Sequence, residues 1–228
     1  MCIRDRYGDA VETYRLNLGD HIVCEDIFKV DEKNVPDCDI IIGGFPCQGF
    51  SVANTKRHEG DERNALYKQL IRIIDAKKPK FFLAENVKGL TNLAKGKVFQ
   101  MILSDFSELG YKVKYKILNA ADYGVPQTRQ RVIIVGVRND VDFEYNFPKA
   151  THSKDGADGL PKWISVSEAM APIPDPDSPN DMLNHEYSKY KLNFNGYLGH
   201  RQLDPEKPAP TVTCLLYTSD AADDTPCV

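Results

Sequence analysis

The sequence predicts an α/β fold built on one mostly parallel sheet. Short, continuous, β-branched runs such as Ile40–Ile42 and Val132–Val135 read as strands buried on both faces. Between them lie segments whose apolar residues recur at helical spacing. Turn and cap residues separate the two kinds, giving the order strand, helix, strand, helix, strand, and then two strands joined by a loop.

Each element has its own signal. The segment GDAVETYRLNLG places Ala10, Tyr14 and Leu18 on one helical face, and Gly19 ends that helix. HIVCEDI reads as a short strand, and CDIIIGG as a strand buried on both faces. In DERNALYKQLIRIIDAKKP, Leu66, Leu70, Ile73 and Ile74 share a helical face; acids open the segment, Lys77 and Lys78 close it, and Pro79 stops it. KFFLAEN is the next strand. VFQMILSDFSELG puts Phe99, Ile102, Phe106 and Leu109 on one face, with Gly110 as its terminator. YKVKYKILNA alternates as a half-exposed strand, and QRVIIVGVR is another buried one. Their connection through ADYGVPQT suggests an antiparallel hairpin closing the sheet.

From about Asn139 prolines punctuate a loop-rich stretch whose clearest helical piece is SVSEAMA, so a smaller, irregular lobe is expected there. Met1–Arg6 and Cys214–Val228 resemble translated adapter or vector sequence and are set aside from fold reasoning. The expected organisation is residues 7–138 as a catalytic domain and 139–213 as a recognition region, between those tails.

The 228 residues suffice for one α/β domain with a small second one, and 27% charged content argues against global disorder. No apolar stretch approaches the ~20 residues of a membrane span, and no signal peptide is evident. The six cysteines form no C-x-x-C pair, so neither a zinc site nor a disulfide framework is expected, and a reduced, cytoplasmic setting fits. A net charge of −4 is compatible with nucleic-acid binding only where basic residues cluster locally.

The chemistry points to GGFPCQGFS, Gly43–Ser51. Cys47 stands just past an apolar strand, where α/β proteins present reactive groups, with glycines that allow close approach and Pro46 to stiffen the turn. A thiol of ordinary pKa near ~8.5 is a potent nucleophile once ionised. A buried structural cysteine is the alternative for that residue alone. Glu85, at the end of KFFLAEN, reads either as a site acid or as a structural carboxylate. Arg129 and Arg131 alternate along a strand and read either as site residues or as a solvated face.

Together these strings resemble the DNA (cytosine-5)-methyltransferases of bacterial restriction–modification systems, over about Gly8–Thr213. GGFPCQGFS is similar to the family's fourth motif, FLAENVKGL to its sixth, and NAADYGVPQTRQRVIIVG to its seventh and eighth. The resemblance implies a Rossmann-like S-adenosylmethionine-dependent methyltransferase sheet with a small target-recognition lobe. It implies methyl transfer to C5 of cytosine in double-stranded DNA, with Cys47 adding to C6 of an extruded base. Glu85 would serve N3 and the exocyclic amine, Arg131 would lie near O2, and Arg129 would support the same pocket or the backbone of the extruded nucleotide. Donating a proton to a ring nitrogen calls for an acid of raised pKa, which desolvation at a strand end can supply.

By the same resemblance Asp26, Ile27, Pro46 and Leu66 would hold S-adenosylmethionine, and Gln48 and Ser51 would meet DNA beside the basic pair Lys56–Arg57. From the residues alone, Ile27 and Leu66 could equally be core and Asp26 a turn residue. A cognate restriction endonuclease is an implied partner; no metal is. The family's Gly-rich first motif and the acid of its second have no counterpart, Arg6 standing near the latter's place, and the pattern stops after RQLDPEKPAPTVT. The resemblance therefore implies a sheet without its first strand, and a chain of weak or no activity. A transfer-RNA cytosine-5 methyltransferase of the same fold and a non-catalytic DNA-binding remnant are the alternatives.

Overall fold

The computed structural model describes residues 3–45, 65–182, 185 and 203–211. Strand β1 (Ile3–Asp5) falls in the segment set aside above and pairs in parallel with β2 (Ile22–Cys24), Ile3 opposite Ile22. Helix α1 (Gly8–Leu18) connects them, and Gly19, at φ 106°, ends it. The buried face of α1 centres on Val11, flanked by Ala10 and Tyr14, while Leu18 is exposed. The helical spacing was legible, but the apolar stripe sits closer to the helix start than expected.

The larger sheet has four strands, β3 (Ile40–Gly44), β4 (Phe81–Val87), β5 (Tyr111–Asn119) and β7 (Gln130–Arg138), in the spatial order β3-β4-β7-β5. A short strand β6 (Gln127–Thr128) precedes β7. β3 and β4 run parallel, with Ile40 opposite Phe81 and Gly44 opposite Glu85. Asn139 N–H donates to Gly110 O at one end of the β5–β7 pair, and Ala120 N–H donates to Arg129 O at the other, so the two strands are antiparallel. The expected hairpin is present at one end of the sheet; its second strand lies inside, between β4 and β5, and β5 forms the edge.

Helix α2 (Ala65–Lys77) follows β3, and α3 (Lys97–Glu108) follows β4. Both pack on one face of the sheet. Phe82, Ile74, Leu90, Ile102, Phe106, Val132 and Ile134 form the core there, with Tyr67 and Tyr111 at its polar margins. The Phe82 ring stacks on Phe106 at 4.5 Å between centroids and meets Tyr111 edge-on at 5.1 Å. Beneath that ring lies Gly136, where a Cβ would stand 1.9 Å from Phe82 Cε1. This glycine is required by the close approach of an aromatic ring, not by its backbone angles.

β3 departs from the expectation of a strand buried on both faces. Ile41 packs against the core, but Ile40 is 55% and Ile42 74% exposed. Alternation sends Ile41 toward the helices and its neighbours toward the opposite face, which no described helix covers.

The chain divides into two compact units, Met1–Lys116 with Val132–Asn146, and Ile117–Arg131 with Phe147–Val228. Within the second unit, β6 pairs in parallel with β8 (Ala209–Pro210). Helix α4 (Val166–Met170) starts at Ser165, whose hydroxyl accepts from Glu168 N–H while the Glu168 carboxylate accepts from Ser165 N–H. This is the reciprocal cap that SVSE spells. No helix of the described residues is long and apolar enough to cross a membrane.

Candidate functional site

The ends of β3 and β4 build the candidate site in the first unit. Their ladder closes at the pair Gly44–Glu85. A Cβ at Gly44 would lie 3.6 Å from Glu85 Oε2, so Gly44 faces that carboxylate at ordinary contact distance. On the other face a Cβ at Gly43 would come within 2.9 Å of Leu70 Cδ1, the tip of a side chain on α2. At Gly43 a Cβ would press on the tip of Leu70, whereas at Gly44 a Cβ would fit beside the acid.

Past the ladder, Phe45 is 4% exposed and Asn86 1% exposed. Asn86 Nδ2 donates to Phe45 O at 2.6 Å, and its Oδ1 accepts from Val87 N–H at 2.8 Å. The Phe45 ring lies 6.1 Å from that of Tyr67 on α2. Tyr67 in turn donates its hydroxyl to Asp105 Oδ2 at 3.0 Å. Burial, reinforced by the Asp105 carboxylate, pushes the Tyr67 phenol up to about 12. Asn86, Tyr67 and Asp105 escaped the sequence reading. Asn86 was visible only as the middle of E-N-V, and Tyr67 only as a neighbour of Leu66.

Pro46, Cys47, Gln48 and Ser51, with Lys56–Arg57, lie outside the described residues. Cys47 follows Phe45 by two positions in the chain. Glu85 is half-buried at the end of β4.

Asp26 and Ile27 follow β2 and are half-buried. Asp26 Oδ1 accepts from Phe28 N–H at 3.0 Å, starting a single helical turn over Ile27–Lys29. The turn reading of Asp26 is thus realised, and its second carboxylate oxygen is left over from that bond. Arg72 on α2 donates to Ile27 O and Val30 O, each at 2.9 Å, and pairs with Glu32 at 2.9 Å. These bonds tie the Asp26–Ile27 turn to the helix whose first turn carries half-buried Leu66.

Arg129 and Arg131 belong to the second unit. Arg129 O accepts from Ala120 N–H at 3.0 Å, and Arg131 Nη1 donates to Gln130 O at 3.0 Å. The run from residue 209 lies alongside the residues that lead into Arg129. Ala209 N–H donates to Pro126 O, Thr128 Oγ1 donates to Ala209 O at 3.1 Å, and Thr211 Oγ1 donates to Thr128 O at 2.8 Å. Asp122 accepts from Trp163 Nε1 at 2.9 Å, and its carbonyl accepts from Thr151 and His152 N–H. Partners this far apart in sequence leave no periodic trace.

Comparison with known proteins places the chain in a family. The family model of the C-5 cytosine-specific DNA methylases matches residues 4–217. The Type II methyltransferase M.NgoFVII of Neisseria gonorrhoeae is 46% identical over 176 residues, 76% of this chain and 47% of that protein. M.BsuRI of Bacillus subtilis, also a Type II methyltransferase, is 45% identical over 191 residues, 84% of this chain and 43% of that protein. The chain thus spans a little under half the length of these relatives. Among solved structures, a proposed DNA modification methyltransferase encoded within an E. coli prophage aligns at a TM-score of 0.57 and 28% identity, covering 75% of this chain and 48% of that one. Dnmt2 methyltransferase of S. pombe shares the fold at a TM-score of 0.55 and 20% identity, covering 73% of this chain and 51% of that one.

Proposed function

Because the chain belongs to the C-5 cytosine-specific DNA methylase family, we propose that it carries the catalytic core of an enzyme that methylates C5 of cytosine in double-stranded DNA. The observation that carries this reading is the register of β3 on β4, which sets Gly44 opposite Glu85 three residues before Cys47. The end of the strand that leads in sequence to the motif cysteine thereby lies beside the motif acid.

The chemistry follows from the residue types. C5 of cytosine is a poor nucleophile. The Cys47 thiolate adds to C6, forming a C–S bond and moving the electron pair of the C5–C6 double bond toward C5. Glu85 supplies a proton at N3; the family resemblance assigns O2 to Arg131 and a supporting contact to Arg129. S-adenosylmethionine, when bound, provides the methyl group that C5 acquires. Loss of the C5 proton to solvent then expels the Cys47 thiolate, and return of the N3 proton to Glu85 leaves the neutral aromatic ring. The base must leave the duplex for the thiol to reach C6, at an expense of a few kcal/mol. Gln48 and Ser51, neighbours of Cys47 in the chain, are assigned to DNA contact.

The residues present suit the methyl donor. Asp26 has one carboxylate oxygen beyond the bond that forms its turn and can accept from an adenine amine, with Ile27 to pack on the ring. Leu66 lies on the helix that Arg72 ties to that turn, and Pro46 completes the set. The partners of this reading are double-stranded DNA and a cognate restriction endonuclease, and its setting is the cytoplasm.

The test is covalent trapping. Duplex DNA containing 5-fluorocytosine, given with S-adenosylmethionine, blocks the final elimination and should leave the oligonucleotide bonded to Cys47. Replacing Cys47 with serine should abolish the adduct. An adduct mapped to another residue, or one surviving C47S, would sink the reading. Transfer RNA offered as the acceptor separates the transfer-RNA alternative.

A further inference from the structure

We infer that Asn86 is a positioning residue that fixes the chain carrying Cys47 relative to Glu85, an inference that rests on the function proposed above. The β3–β4 ladder ends at Gly44–Glu85, and at the next step the Asn86 side chain replaces the main chain as the link between strands. Its amide donates to Phe45 O at 2.6 Å and its oxygen accepts from Val87 N–H at 2.8 Å. One planar group thus binds the last described residue before Pro46-Cys47 and the residue that follows the acid's own neighbour.

The environment makes this link stiff. Asn86 is 1% exposed, so water does not compete for either bond, and a lost partner leaves a buried carbonyl unsatisfied. Phe45 is held twice, at its carbonyl by Asn86 and at its ring against Tyr67, which Asp105 anchors in turn. The requirement is also specific in chemistry. The group must donate on one side and accept on the other at fixed length. Aspartate has the shape but, once ionised, cannot donate. Glutamine has the groups but reaches too far. Glu85 projects to the opposite face of β4, so the amide can set the acid's backbone without occupying its space.

The test uses the whole chain and reads each cysteine separately. Iodoacetamide labelling, resolved by peptide mass, gives the rates at Cys47, Cys24 and Cys38 for the native chain, Asn86→Ala and Asn86→Asp. The expected result is a severalfold change at Cys47 alone in both variants. A uniform change at all three cysteines, or none at Cys47, overturns the inference. Trapping on 5-fluorocytosine DNA should fall on the order of 10²-fold in N86A, as expected for a misplaced reacting group. For N86D the ratio of its trapping rate to the native rate should rise as pH falls, because the introduced carboxyl group, once protonated, donates again to Phe45 O. Cys47, Glu85 and the Tyr67–Asp105 pair are common to both chains, so the ratio isolates the introduced carboxyl group. The ratio for N86A should stay flat; a matching rise there overturns the inference. A native chain that forms no adduct removes the functional reading, while the labelling result still decides the role of Asn86.

Discussion

Gly136→Ala tests the packing of the sheet most sharply. The new methyl would stand 1.9 Å from Phe82 Cε1 and 2.5 Å from Cδ1 and Cζ. The ring edge would need to withdraw by about 1.5 Å to reach the 3.4 Å of ordinary contact. It cannot do so freely, because Phe82 is 1% exposed and held between Phe106 and Tyr111. Overpacking costs about 1–3 kcal/mol in ordinary cores, and a rigid ring places this one at the upper end. The loss of glycine's freedom in the unfolded chain offsets about 0.4–1 kcal/mol. A net loss of about 2 kcal/mol remains, a shift of about 1 M in urea midpoint for a slope near 2 kcal/mol/M. The only tryptophan, Trp163, lies in the other unit, so amide exchange in β4 and β7 is the proper readout, with Trp163 fluorescence as control. Adding Phe82→Leu should return part of the loss, with a coupling of about 0.5–3 kcal/mol between the sites. Gly43→Ala is the counterpart, since its 2.9 Å contact is with the tip of Leu70, which can rotate away. A G136A chain within about 0.5 kcal/mol of native, or one no weaker than G43A, would refute the reasoning.

Four further outcomes are expected. Tyr67→Phe should cost about 1–2 kcal/mol by leaving Asp105 without its donor. In alkaline titration, Tyr67 and Tyr111 should ionise late, both pushed up to about 12 by burial, and Y67F should remove one of these late steps. Since their folded values lie above the ordinary 10.0, their stabilisation is intact below pH 10 and drains as pH climbs toward 12; a chain whose stability is flat across that window contradicts the assignment. Ser165→Ala should lower the stability of the second unit by about 1 kcal/mol, read by Trp163 fluorescence in urea, by removing the cap of α4. Glu85→Gln should leave the fold intact and slow adduct formation about 10²–10⁴-fold, and a rate within threefold of native excludes it as the proton donor.

Local signals carried the elements, and distant ones were silent. The α2 and α3 stripes were readable because Ile73, Ile74, Phe99, Ile102 and Phe106 obey the helical period and are buried. The burial of β3 was overestimated, because a run of isoleucines does not say whether a layer lies over each face; Ile40 and Ile42 face a side that no described helix covers. The place of β7 between β4 and β5 was hidden, since strand order is set by pairing across the sheet and not by succession along the chain. At the site, Glu85 could be named because its neighbours spell a family motif. Tyr67, Asp105 and Asn86 could not, because their roles arise from contacts between segments 38 to 41 residues apart.

The insertion of β7 has a consequence for how the chain comes off the ribosome. Every strand before it can emerge and collapse against α2 and α3, yet β4 and β5 have nothing between them until residue 138 is made. The Phe82 ring must wait, over roughly 50 further residues of translation, for the one glycine that fits beneath it. During that interval a nascent chain exposes two ready strand edges, which makes this the stage at which chaperone protection would matter most.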